Sequence, residues 1–99
     1  MVMAKILVIN RNKEVLEVLL RLINQNKDWL GIGFSKDAEA IAAFNKEPYD
    51  LVLLGSGITT EEEKALRQHL LEKNPSQKII QHWGGGSGLL SNEIFQALA

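Results

Sequence analysis

The sequence predicts an α/β domain, a three-layer αβα sandwich around a short parallel sheet of four strands in the order 2-1-3-4. Three observations carry that expectation. Aliphatic runs alternate along the chain with stretches whose apolar residues recur every three to four positions. Strand, helix and strand follow one another between Trp29 and Leu54, a spacing that suits a parallel βαβ unit. The third is the stretch Pro48-Tyr49-Asp50-Leu51-Val52-Leu53-Leu54-Gly55-Ser56-Gly57, a turn signal followed by a buried strand and a glycine loop. Helical patterns flank that strand on both sides, which makes it central. Ligands of open α/β sheets bind where such strands end.

In chain order, Ala4-Lys5-Ile6-Leu7-Val8-Ile9 is almost continuously aliphatic, as a strand covered on both faces should be. Asn10-Arg11-Asn12 suits a turn and a helix cap. From Lys13 the period changes: Val15, Leu16, Leu19, Leu20, Leu22 and Ile23 take helical spacing, with Glu14, Glu17, Arg21 and Gln25 largely opposite. Asn24 to Asp28 ends this helix. Trp29 to Phe34 alternates Leu30, Ile32 and Phe34 against Trp29, Gly31 and Gly33, and the bare glycine face suits a closely packed helix or an exposed edge. Ser35 is the expected N-cap of the second helix and Asp37 its first-turn acid. Ala38, Ile41 and Phe44 form its apolar stripe, and Pro48 forbids continuation.

Beyond the central strand, Thr60 and Glu63 read as a Thr-x-x-Glu capping box. Glu61, Glu62 and Glu63 complement the helix dipole and are read as surface charge in preference to a metal site. Leu66 and Leu70 face inward, with His69 or Leu71 beside them, and Asn74-Pro75 closes the helix. Lys78 to His82 is the fourth strand. Gly84-Gly85-Gly86-Ser87-Gly88 then leads to a last helix from Ser91 to the end, with Leu90 and Phe95 as its hydrophobic staple.

Composition bounds the function. At 99 residues, 1–99 suits one domain that buries about 60–70% of its unfolded surface. Apolar residues make up 45% and charged residues 23%, a globular balance and not a disordered one. A net charge of −1 gives no electrostatic reason to expect nucleic acid as a partner. No apolar run approaches the roughly 18–20 residues of a membrane span, and Lys5 interrupts the N-terminal run without a cleavage signature. Neither a membrane segment nor a leader is expected. Cysteine is absent, which removes disulfides, thiol nucleophiles and thiolate metal sites and fits a cytoplasmic protein.

Three stretches carry a family resemblance: Lys5-Ile6-Leu7-Val8-Ile9, Phe34-Ser35-Lys36-Asp37-Ala38-Glu39-Ala40-Ile41, and Pro48 to Leu54. In this layout, over about residues 4 to 83, the chain resembles a response-regulator receiver domain, the flavodoxin-like (CheY-like) module of two-component signalling. The resemblance implies a chemistry in which a histidine kinase passes a phosphoryl group to an aspartate at the end of strand three. It also implies an acid pair after strand one that helps hold Mg²⁺, a Ser or Thr ending strand four, and a lysine ending strand five. Acids are hard oxygen ligands for Mg²⁺, and the hydroxyl and lysine bind phosphoryl oxygens.

Those parts are replaced in this chain. The acid-pair positions hold Asn10 and Arg11, the acceptor position holds Gly55, and Gly57 falls where a backbone carbonyl would meet the metal. The strand-four hydroxyl falls near His82 or Trp83, and the lysine has no counterpart. Asp50 is no substitute acceptor, because it precedes Gly55 by about 16 Å of extended strand. Residues 84–99 are also too few for a helix, a strand and a final helix, which at average lengths need about 28 residues before loops. The glycine run therefore reads as a shortcut past a missing helix and fifth strand. Strand four is left as an edge that must be covered or used.

Two function classes follow. The favoured expectation is a degenerate pseudo-receiver: phosphorylation-independent, non-enzymatic, and without metal or cofactor. It would act through a protein partner in a signalling pathway or as a homodimer along the strand-four edge. The alternative is a small-ligand or anion sensor using the old pocket at Asn10, Arg11, Gly55, Ser56, Gly57, His82 and Trp83. That pocket offers few of the polar groups that normally fix a ligand, which favours the first reading. The glycine run lacks the Lys-Ser/Thr of a P-loop and the spacing of a dinucleotide fingerprint, so it reads as a linker. His69 and His82 have no serine or cysteine nucleophile motif around them, and two histidines do not make an enzyme.

Overall fold

The computed structural model of the chain describes residues 3–82 and 87–99. Its elements are β1 (Ala4–Ile9), α1 (Lys13–Asn24), β2 (Trp29–Phe34), α2 (Asp37–Lys46), β3 (Leu51–Leu54), α3 (Thr60–Lys73), β4 (Ile79–Gln81) and α4 (Ser87–Leu98). The strands form one parallel sheet in the order β2-β1-β3-β4, as the sequence predicts.

The two central strands have no exposed face, which is why their sequences are continuously apolar. Ile6 to Ile9 and Leu51 to Leu54 are fully buried. Successive side chains point to opposite faces. Ile6, Val8, Leu51 and Leu53 therefore meet Leu16, Leu19 and Ile23 of α1 and Leu90 and Ile94 of α4. Leu7, Ile9, Val52 and Leu54 meet Ala40 and Phe44 of α2 and Leu66 and Leu70 of α3. Burial of each such side chain contributes about 1.5–3 kcal/mol relative to exposure. These paired layers hold the strand ends in register.

Asn12 caps α1, its Oδ1 accepting the N–H groups of Glu14 and Val15 at 3.0 and 3.2 Å. The inward line of α1 is narrower than its pattern suggests, because Val15 is exposed. The bare face of β2 receives this helix. A Cβ on Gly33 would lie 2.6 Å from Leu16 Cδ1 and 2.9 Å from Leu20 Cδ1, so glycine allows the helix its close approach.

Several local expectations are corrected. Ser35 does not cap α2: Lys36 occupies the cap position, and no side chain bonds the first turn. Ala38 is exposed and Ala40 buried, because the phase of α2 follows Phe44, whose ring stacks on Tyr49 at 6.3 Å between centroids. The capping box of α3 lies one residue earlier than expected, with Glu62 N–H donating to Thr59 Oγ1 and Thr59 N–H to Glu62 Oε1 at 3.1 and 3.0 Å. His69 and Leu71 are both exposed. Helix α4 begins at Ser87, a full turn before the expected Ser91. The N–H groups of a first turn have no intrahelical partner, so Ser and Gly are tolerated there while Leu90 and Ile94 drive the packing. Leu90 is thus inside the helix and forms no staple with Phe95, whose ring meets Trp29 at 4.8 Å. Gly84, Gly85 and Gly86 of the expected linker lie outside the described residues. Among the described residues no helix is long and apolar enough to cross a membrane.

Candidate functional site

The carboxyl ends of β1 and β3 meet through the backbone. Gly55 N–H donates to Ile9 O at 2.7 Å, and Arg11 N–H donates to Ser56 O at 3.1 Å. This brings Asn10, Arg11, Gly55, Ser56 and Gly57 into one cluster.

Asn10 is 1% exposed and forms its floor. Its Oδ1 accepts the Asn12 N–H at 2.9 Å and the Ser56 hydroxyl at 3.3 Å, so the carboxamide is fixed by the turn it begins. Gly55 lies against it. A Cβ on Gly55 would stand 2.2 Å from Asn10 Nδ2 and 2.9 Å from Asn10 Cγ, an overlap no side chain could accept without displacing the buried amide. Gly57 has φ +84°, the left-handed region that favours glycine, and a Cβ there would lie 2.6 Å from Arg11 Cβ. Each glycine is held by a neighbouring side chain.

Arg11 fills the space between two helix starts. Its Nη1 donates to Ser35 O at 3.1 Å. Its Nη2 is 2.8 Å from Asp37 Oδ1 at the start of α2 and 3.4 Å from Glu62 Oε2 in the first turn of α3. Asp37 Oδ1 is fully buried and meets the guanidinium as a charge pair outside hydrogen-bonding angles. Two helix N-termini would repel a cation, and the first-turn acids offset that field. The Thr59 N–H bonded to Glu62, with the Arg11 charge beyond it, holds the Glu62 carboxyl below the usual range, although solvent reduces the effect. Asp37 and Glu62 are the site residues that sequence reasoning missed as partners. A lone cation at a strand end opposite two acid-bearing helix starts was the available signal.

His82 stands apart from this cluster. Its side chain shares the α4 face with Ile80, and its Nδ1 lies 2.6 Å from Glu93 Oε1. Arg11 reaches toward α2 and α3, on the other face of the sheet. Trp83 lies outside the described residues. Asp50 is at the amino end of β3, where its Oδ2 accepts the Lys5 N–H at 2.8 Å.

The donor set does not suit the divalent cation that the receiver resemblance implies. A carboxamide and a guanidinium stand after β1, and the guanidinium already pairs with Asp37 and Glu62.

Neither a protein-family model nor a curated protein matches this sequence. Solved structures do match, and they place the chain in a class: flavodoxin-like α/β domains with parallel strands in the order 2-1-3-4. Within that class the likeness is to response-regulator receivers. The chemotaxis protein CheY4 of Vibrio cholerae matches with a TM-score of 0.72 at 15% identity, over 97% of this chain and 99% of that one. A response regulator receiver domain protein from Clostridium thermocellum gives 0.68 at 20% identity, over 95% and 74%. An orphan response regulator of H. pylori gives 0.64 at 17%, over 97% of each chain. At these identities the likeness is one of fold, and the fold is receiver-like.

Proposed function

We propose that this receiver-like domain is a two-component signalling module that works by protein contacts, without phosphorylation and without enzymatic activity. One observation carries the reading. The ground where receiver chemistry would take place is filled by the protein itself, with Gly55 seated on the Asn10 amide and the Arg11 guanidinium bound to Ser35 O, Asp37 and Glu62. No residue at this strand end supplies a nucleophilic carboxylate, and a side chain at 55 would have to displace the Asn10 amide. The anion-sensor reading draws no support from this geometry, because Arg11, the cation of the cluster, is already neutralised by two carboxylates.

Recognition then falls to the surface. The partner is a protein of the signalling pathway or a second copy of this chain, and β4 offers an edge for it. Nucleic acid is not a partner in this reading, given the net charge of −1.

Incubation with acetyl phosphate and Mg²⁺ tests the proposal, with intact mass as the readout. The mass is expected to stay unchanged, and a stable adduct on any carboxylate would overturn phosphate inertness. Gly55→Asp is expected to remain unmodified as well, and to lose stability because its Cβ drives into Asn10.

A further inference from the structure

We infer that β4 pairs antiparallel with β4 of a second copy in one particular register, centred on Ile80, so that two sheets join into one of eight strands. This rests on the reading that the module works through protein contacts, and it specifies the surface, the partner and the alignment.

The register follows from which backbone groups remain. Lys78 O accepts from Val52 N–H and His82 N–H donates to Leu54 O, each at 2.9 Å. Lys78, Ile80 and His82 therefore turn their backbone groups toward β3, and Ile79 and Gln81 turn theirs outward. Among the described residues nothing takes those outward groups. The other edge of the sheet differs. There the outward N–H of Gly31 donates to Asn24 Oδ1 at 2.8 Å, Asn24 Nδ2 donates to Gly31 O at 3.4 Å, and Trp29 N–H donates to Asn26 O at 3.2 Å. The β2 edge is blocked by its own chain at Trp29 and Gly31, and among the described residues the β4 edge is open.

An antiparallel pair exchanges both bonds only where outward-facing residues stand opposite each other. With Ile79 opposite Gln81 of the second copy and Gln81 opposite its Ile79, all the outward groups of both strands are used. Shifting the register by one residue would oppose outward groups with inward ones.

The side chains suit the same alignment. A two-fold axis perpendicular to the sheet keeps each face in place, so both α4 helices lie on one side. Lys78 then stands opposite His82 of the second copy, whose ring holds Glu93. Symmetry repeats this cation-to-carboxylate pairing at the other end. Lys78 is available for it, since among the described residues its Nζ otherwise reaches only Ala99 O at 3.5 Å. Ile80 faces its own counterpart at the axis. It lines a groove of about 320 Å³ with Glu93, Gln96 and Ala97, and the second copy's α4 would close over that groove. A partner of unrelated sequence would match the backbone groups but not the charges at both ends, which favours a second copy.

The test uses the absence of cysteine from the chain. At the axis the two residues 80 form a non-hydrogen-bonded pair, whose Cβ atoms approach to about 4.5–5.5 Å, near disulfide reach. Ile80→Cys is expected to give a covalent dimer under mild oxidation, whereas Gln68→Cys on the exposed side of α3 is not. Gln81→Pro removes an outward N–H that its own sheet does not use, so circular dichroism should show an intact fold. By sedimentation it should weaken dimerisation at least tenfold. A wild-type chain that stays monomeric to high micromolar concentration overturns the inference. So does a dimer that survives Gln81→Pro and fails to cross-link at position 80. Either failure leaves the phosphate-inert signalling reading standing, because that reading falls only to the acetyl phosphate adduct.

Discussion

Strands β2 and β4 bound the same sheet and are finished in opposite ways. On β2 the asparagine that ends α1 folds back and presents its amide to Gly31, imitating the neighbour that an edge strand lacks. Trp29 anchors the same strand beneath α1 and α4, at 4% exposure. β4 is three residues long, each half-buried, with its outward groups open among the described residues. Exposed strand edges invite pairing, and proteins blunt them by shortness, charge or cover. Here the chain covers one edge with a side chain and leaves the other short and unblocked, which separates a side built for stability from a side available for contact.

Substitutions on the two sides should cost unequal amounts. Trp29→Ala is expected to destabilise by about 3–5 kcal/mol in urea unfolding, and Ile80→Ala by only about 1–2 kcal/mol because Ile80 is half-buried. Equal costs would erase the distinction. Gly33→Val tests the fit of α1 on β2. With Leu16 and Leu20 already within 3 Å of the new Cβ, a loss of about 1–3 kcal/mol is expected, and a neutral result would mean the helix simply lifts.

Asn24→Ala should cost about 0.5–1.5 kcal/mol. It should also speed hydrogen exchange at the Gly31 amide. The amides of Ile79 and Gln81 should already exchange quickly in dilute protein and slow as concentration rises. The smallest effect concerns the ion pair between Arg11, after β1, and Glu62 in the first turn of α3. Because the Glu62 carboxyl lies below its unfolded value in the fold, its contribution is present above the unfolded pKa. That contribution is lost as pH falls through the folded value. Stability should therefore decline on acidification, and Glu62→Gln should flatten that part of the pH profile.

The fold was legible from the chain because β1 and β3 are buried on both faces and leave an aliphatic signature that only central parallel strands need. Boundaries were less legible where two phases satisfy the same rule. Thr59-Thr60-Glu61-Glu62-Glu63 contains the capping pattern twice, and the helix takes the first. The start of α4 was hidden for a related reason: Ser87 and Gly88 read as loop, yet a helix's first turn accepts them. In the candidate site, Asn10, Arg11, Gly55, Ser56 and Gly57 share one cluster because adjacent parallel strands end together, which topology alone implies. The division between Arg11 and His82 needed side-chain parity: His82 follows Ile80 onto the α4 face. The partners of Arg11 were hidden because a first-turn acid already has a sufficient explanation in the helix dipole.

The contact between Gly55 and Asn10 makes the order of sequence change matter. A side chain introduced at 55 meets a buried amide at 2.2 Å, so the residue at 10 must move or change before position 55 can become larger. Shrinking Asn10 alone removes the acceptor for the Asn12 N–H and the Ser56 hydroxyl. Each single step is costly and the two positions touch, which is the condition for non-additive effects between neighbours. Descendants of this sequence that gain an acid at 55 should therefore carry a changed residue at 10, and the interlock acts as a ratchet on the surface chemistry this domain can later acquire.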